Sequence, residues 1–511
     1  MRATAGAPMR QTPRSLACTR ALWPADRRRH TFPLRVSTFQ LPMIDRATPM
    51  PAAKRWFAFA RRLMPGRRQI GALLLLAVAA LPIAFIANYT AAASRDIVYW
   101  DEIDTVIDLL LKLDAGIGQR DFWDSMFAIN NEHRMLTSRL LFVTSWWLVG
   151  TVDFRVIGAI GNLFLVVLCA LLVWSAGTTS RRVRMGVLLA FLMAQLEHFE
   201  NFLWSGASID HFQVVALAVG AIVAVMRHTR WGFGVGAVLA LLATFTLAHG
   251  LVTWPVVALL LWRLRRFRGL AIWCGLAMLA VAAFFRGFEI NTGHPVAGFD
   301  PMGLLNVLRY WLALLGAPLV LGHAALAPAA GVLMLAVIGG LLWRGAWRGE
   351  FIAGGACLFC LGALGLVALG RSELNGGMLQ SRYMVLAVLP WALAGFVALE
   401  RWSVVERPHR LLAWCVPALV VFNIAASVRY LPQAEAFVEG RDRAAVRFKQ
   451  HGRDGLDSFR LYPVPERASK IINEAAQRGL YWLPRMCVRE NIPDVRPSSR
   501  IQYFVDEMTA D

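Results

Sequence analysis

Apolar residues arrive along this chain in long blocks separated by short polar joints, not at the spacing of a soluble amphipathic helix or strand. The first block is Gly71 to Ala87. Others follow at 156–176, onward to Gln195, and at 207–226, 233–248, 251–262, 269–285, 324–343, 351–369, 383–399 and 411–427. A helix of roughly 20 apolar residues crosses the hydrocarbon core of a bilayer, where the backbone must satisfy its own hydrogen bonds. The blocks therefore predict an all-α polytopic membrane protein of about 11 transmembrane helices. Two blocks read differently. Leu140 to Val149 is too short to cross, and Leu304 to Leu321 carries Arg309, Gly316 and Pro318, so both are expected as interfacial or re-entrant helices.

Charge orients the threading. Lys and Arg near the ends of apolar spans hold those ends in the cytoplasm. Residues 1–69 hold 15 Lys or Arg against two Asp, a surplus of 13 within a net charge of +20. Further clusters stand at Arg181-Arg182-Val183-Arg184, Arg227 and Arg230, Arg263 to Arg268, and Arg344 with Arg348. Placing all of them on one side puts the N-terminus in the cytoplasm and a small C-terminal tail or cap, 431–511, on the outer side. Residues 1–69 then read as a basic, disordered cytoplasmic segment, in which Met43 and Met50 are alternative starts. They have no secretory cleavage pattern. Residues 70–430 form the membrane domain, with a first outer loop at 90–137.

Composition agrees. Hydrophobic residues make up 57% of the chain and charged residues 17%, which excludes an ordinary soluble domain. The basic surplus lies mainly ahead of the first span and no folded basic module follows it, so nucleic acid is not an expected partner. Cys357 and Cys360 form a C-x-x-C, but they sit inside an apolar block with no second Cys/His pair near them. They read as small helix-packing residues.

The same threading collects the polar clusters on the outer side. These are Asp101-Glu102, Asn131-Glu132-His133-Arg134, Glu197-His198-Phe199-Glu200-Asn201, Asp210-His211, His249, Arg286 to His294, Arg371-Ser372-Glu373 and Gln380-Ser381-Arg382-Tyr383. Carboxylates beside a hydrocarbon slab are costly and mark candidate functional sites. Three chemistries compete. Group transfer from a lipid-linked donor needs a base for an acceptor hydroxyl, a role for Asp101 or Glu102, and cations for a departing phosphate, a role for Arg134, Arg139 and Arg382. Transport or flipping of envelope polysaccharide precursors, or their polymerisation, needs charges along a path through the bilayer. Metal-assisted hydrolysis needs ligands such as Glu132, His133, Glu197, His198 and His211, which lack an H-E-x-x-H spacing. No cofactor is implied beyond a divalent metal ion, which stays open.

The series Trp100-Asp101-Glu102, Asp108, Ala115-Gly116, Leu140 to Gly150 and Phe154-Arg155 resembles the first outer loop of the GT-C superfamily of integral-membrane glycosyltransferases. The likeness is to the bacterial relatives of protein O-mannosyltransferases and of the lipid A aminoarabinose transferase. Ser381-Arg382-Tyr383 followed by Val388-Leu389-Pro390 resembles the Arg-Tyr…Pro that opens a late span there. The resemblance covers about residues 70–430. It implies a multi-pass protein of the bacterial inner membrane, a periplasmic active face, a polyprenyl-phosphate sugar as donor, and an envelope glycan, lipid or protein as acceptor. Asp101 would be the catalytic base or an acceptor-orienting residue, with Glu102 and His133 orienting the acceptor or holding an ion. Arg382 and Tyr383, with Arg134 or Arg139, would stand at the leaving phosphate. The chain departs from the pattern in two places: Asn131 to Arg134 replaces a Lys-Pro-Pro-like segment, and Glu197 to Asn201 has no counterpart.

Overall fold

The computed structural model describes residues 67–288, 300–373, 379–403, 408–451 and 461–484. Most of the basic N-terminal segment, Glu289 and His294 of the outer cluster, and residues 485–511 lie outside the described residues. The chain is an all-α polytopic membrane protein. Among the described residues seven helices are long and apolar enough to cross a bilayer, and the only strand-like pairing is one bridge between Asn130 and His133.

The helices run in this order: α1 (Arg67–Ala93), α2 (Asp108–Asp114), α3 (Gln119–Met126), α4 (Leu136–Val149), α5 (Phe154–Ser175), α6 (Thr179–Met193), α7 (Gln213–Met226), α8 (Arg230–Thr246), α9 (Thr253–Arg263), α10 (Phe267–Phe285), α11 (Pro301–Gly316), α12 (Ala327–Trp343), α13 (Phe351–Arg371), α14 (Met384–Ser403), α15 (Pro408–His451) and α16 (Pro465–Gln477). Every predicted apolar block is helical. Those of α6, α8, α9 and α12 fall short of the length that marks the seven.

Local chemistry sets several helix starts. The Asp153 carboxylate accepts from the Arg155 and Val156 N–H groups, Thr229 accepts from Gly232 N–H, and Asp300 accepts from Gly303 N–H just before Pro301. Each takes up at least one of the N–H groups that a helix start leaves without an internal partner.

At the centre stands α7, buried on nearly all sides and packed against α5, α8 and α13. The surrounding helices turn Leu81, Met278 and Leu279 outward, each at least 66% exposed, as a hydrocarbon environment requires. One end of the bundle is locked by ion pairs: Arg184 to Glu400 at 2.6 Å and Arg181 to Glu350 at 2.6 Å, joining α6 to α13 and α14.

A second apolar core forms at the other end. Ile103, Ile107 and Leu110 of the first loop pack with Ala445 and Phe448 of α15 and with Ile472 and Tyr481 beyond it. Helix α15 is continuous for 44 residues. It therefore passes through the boundary expected near residue 430 and carries the C-terminal segment onto the first loop.

Where α11 meets α12, two glycines let the backbones touch. A Cβ on Gly331 would lie 2.0 Å from the Leu312 carbonyl oxygen, and one on Gly316 would lie 2.0 Å from that of Ala327. Small residues of this kind allow close helix approach in membranes. Gly331→Val is expected to destabilise the protein by about 1–3 kcal/mol through overpacking, read as a lowered unfolding midpoint in detergent. An unchanged midpoint would mean that these helices do not touch.

Candidate functional site

The site is built on the turn that ends the first extended segment. Trp100 has a left-handed backbone (φ 51°), and its N–H donates to the Leu461 carbonyl at 2.7 Å. The turn starts a helical stretch at once, with Asp101 and Glu102 as its first residues. Glu102 reaches back to accept from the Tyr99 N–H at 2.8 Å, as a capping glutamate does. Its other oxygen accepts from the Gly206 N–H at 2.7 Å and from the Ser205 hydroxyl. Both oxygens of Glu102 are thus occupied in joining the first loop to the segment that leads into α7. Burial pushes its carboxyl up to about 7, against the three donors. Asp101, its neighbour, lines the same cavity as Glu102. Burial raises its carboxyl as well, opposed first by Arg382, then by the Asn130 amide and Arg371.

The next wall comes from Asn130 to Arg139. Asn130 and His133 exchange both backbone hydrogen bonds across a tight turn in which Asn131 is left-handed (φ 51°). Glu132 pairs with Arg371 at 2.5 Å. The Ala248 N–H donates to His133 Nδ1 at 3.2 Å, so the neutral ring carries its proton on Nε2, 3.5 Å from Glu132. Burial depresses His133 to about 4. Arg134 donates to the carbonyls of Phe127, Phe284 and Arg286, and Arg139 to those of Met126, Ala128 and Arg134. These two guanidiniums hold the ends of α3 and α10 in place.

The far wall is the turn Ser381–Tyr383 ahead of α14. The Arg382 guanidinium lies 5.7 Å from the Trp204 ring centre and 5.5 Å from that of Tyr383. Among the described residues no carboxylate is in ion-pair contact with it. Asp210 accepts from the Ser138 hydroxyl, and His211 packs between the rings of His249 and Tyr383. The enclosed space is about 60 Å³, room for a few waters or the polar end of a ligand.

Of the ten residues singled out from the sequence, Asp101, Glu102, His133, Arg139, Arg382 and Tyr383 share this cavity. Glu132 stands beside it in the pair with Arg371. Arg134 is taken up by carbonyls. Glu197 and His198 are fully buried behind the wall, where Glu197 accepts from Tyr430 and Gln195. Asp210, His211 and Arg371 also line the cavity; the sequence offers His211 only as a metal ligand and gives the other two no role. The signal for the first two was an acid and a histidine at the head of an otherwise apolar block. No group of three or more His, Cys, Asp or Glu side chains among the described residues is arranged to hold a metal ion. No known protein family, characterised protein or solved structure matches this chain.

Two outcomes follow from this geometry. Glu102→Gln turns one accepting oxygen into an N–H donor aimed at other donors, and should destabilise the protein by about 1–3 kcal/mol in detergent denaturation; wild-type stability would show that the bridge to Ser205 and Gly206 carries no weight. The depressed His133 makes the folded state prefer the neutral ring. Stability should therefore fall as pH drops from about 6.5 towards 4. His133→Gln should flatten that part of the profile, and an unchanged slope would assign it to other groups.

Proposed function

We propose that this protein is an integral-membrane glycosyltransferase that moves a sugar from a polyprenyl-phosphate donor to a hydroxyl of an envelope glycan, lipid or protein. The observation that carries the reading is the pairing of types within one buried cavity. It holds Asp101, a carboxylate that faces the Asn130 amide and Arg382, and Arg382 itself, whose guanidinium is in ion-pair contact with no carboxylate among the described residues.

Asp101 accepts the proton of the acceptor hydroxyl as that oxygen attacks the anomeric carbon. The bond from that carbon to the phosphate oxygen breaks, and the electron pair leaves with the polyprenyl phosphate, which Arg382 holds through charge-assisted hydrogen bonds. The products are a glycoside of inverted anomeric configuration, a polyprenyl phosphate and a protonated Asp101. A carboxyl raised by burial is a stronger base than one in water. Glu102 acts by holding the loop, and Glu132 by neutralising Arg371 beside the site. The basic clusters at the opposite helix ends support a cytoplasmic position for those ends, and so a periplasmic cavity in a bacterial inner membrane.

Loss of the base should lower turnover by about 10²–10⁴. In a deletion strain, mass spectrometry of envelope glycans and lipids should show one sugar mass missing. Wild type should restore it, and Asp101→Asn, expressed to the same level, should not. Full rescue by Asp101→Asn would remove Asp101 from the chemistry and favour a transporter, flippase or polymerase of envelope precursors.

A further inference from the structure

The segment Glu197 to Asn201 is the part of the sequence that the proposed chemistry does not use. It sits between α6 and the Ser205 turn, almost wholly buried, and its hydrogen bonds converge on one place. The Ser381 hydroxyl donates to the Glu197 carbonyl at 2.7 Å and accepts from the Glu200 N–H at 3.3 Å. The Arg382 N–H donates to Glu200 Oε2 at 2.8 Å, and Asn201 Nδ2 donates to the Arg382 carbonyl at 3.0 Å. Both backbone groups of Arg382 are thus held by side chains of one short segment. The same segment continues into Trp204, whose ring lies beside the Arg382 guanidinium.

We infer that Glu200 and Asn201 are positioning residues that set Arg382 at the cavity, with Trp204 fixing the guanidinium from the side. The inference rests on the reading of Arg382 as the group that binds the donor phosphate. An arginine side chain carries about 2 kcal/mol of rotamer entropy, and holding its backbone and one face of its fork removes much of that freedom before a ligand arrives. A carboxylate at this turn also serves the start of α14, whose first N–H groups lack internal partners. That is a structural role, and the experiment must separate it from positioning.

The full chain in lipid nanodiscs is titrated with undecaprenyl phosphate, with the thermal midpoint recorded for each variant. Arg382→Ala, Glu200→Ala and Asn201→Ala should each weaken binding by about tenfold or more. Glu200→Gln keeps an oxygen for the Arg382 N–H and should stay within about threefold of wild type. The double variant Glu200→Ala/Arg382→Ala should bind no more weakly than Arg382→Ala alone, because residues acting through one another are not additive. Additive losses, or full binding by both Glu200→Ala and Asn201→Ala beside a weak Arg382→Ala, would overturn the positioning role and leave the phosphate reading standing. Wild-type binding by Arg382→Ala would overturn the phosphate reading, and the positioning role with it. Should Glu200→Ala fail to fold, Asn201→Asp makes the same comparison, since it sets an acceptor against the Arg382 carbonyl.

Discussion

A buried carboxylate must find donors, and the way Glu102 finds them shapes the rest of the site. Its oxygens take two backbone N–H groups and a hydroxyl, one from its own turn and two from Ser205 and Gly206. The first loop is thereby tied to the central helix of the bundle. Gly206 has no side chain to keep the carboxylate away: a Cβ there would lie 3.3 Å from the Glu102 carboxylate. With Glu102 committed in this way, the next carboxylate in the chain is left at the cavity. Two adjacent acids of similar appearance acquire different tasks because one is saturated with hydrogen bonds and the other is not.

The arginines divide by the same rule. A cation removed from water needs a counter-ion or several acceptors. Arg134 and Arg139 find theirs in backbone carbonyls at helix ends, where the peptide dipoles leave negative charge, and Arg371 finds Glu132. Arg382 rests between aromatic rings. Its guanidinium shares the cavity with Asp101, and among the described residues no carboxylate is in ion-pair contact with it.

The C-terminal segment contributes from outside the apolar bundle. The Leu461 carbonyl takes the Trp100 N–H, Tyr462 and Arg467 hold Asp104, and Tyr481 accepts from the Val98 N–H. The left-handed turn at Trp100, unfavourable for a bulky residue, is over-determined by these contacts. Asp101 therefore depends for its position on residues more than 350 places away in the chain, 358 in the case of the Tyr462 bond to Asp104. Strained backbone held by distant contacts is common where a side chain must be aimed.

The block pattern by itself determined that the chain is helical and crosses a membrane, since a lipid-embedded backbone has few alternatives and hydropathy reports it directly. It also sets Asp101, His133, Arg382 and Tyr383 at the ends of apolar blocks, and the structure brings them to one cavity. Assigning tasks was beyond it. Glu102 and Arg134 carry the same residue types as Asp101 and Arg382, and the Glu197 to Asn201 segment reads as loose polar sequence until Ser381 and Arg382 pack against it. Which donor meets which acceptor depends on pairings between residues as far apart as Glu102 and Ser205, or Asn201 and Arg382. Such pairings carry no local period or spacing, so only the tertiary structure decided which acids and arginines were structural and which were left to act.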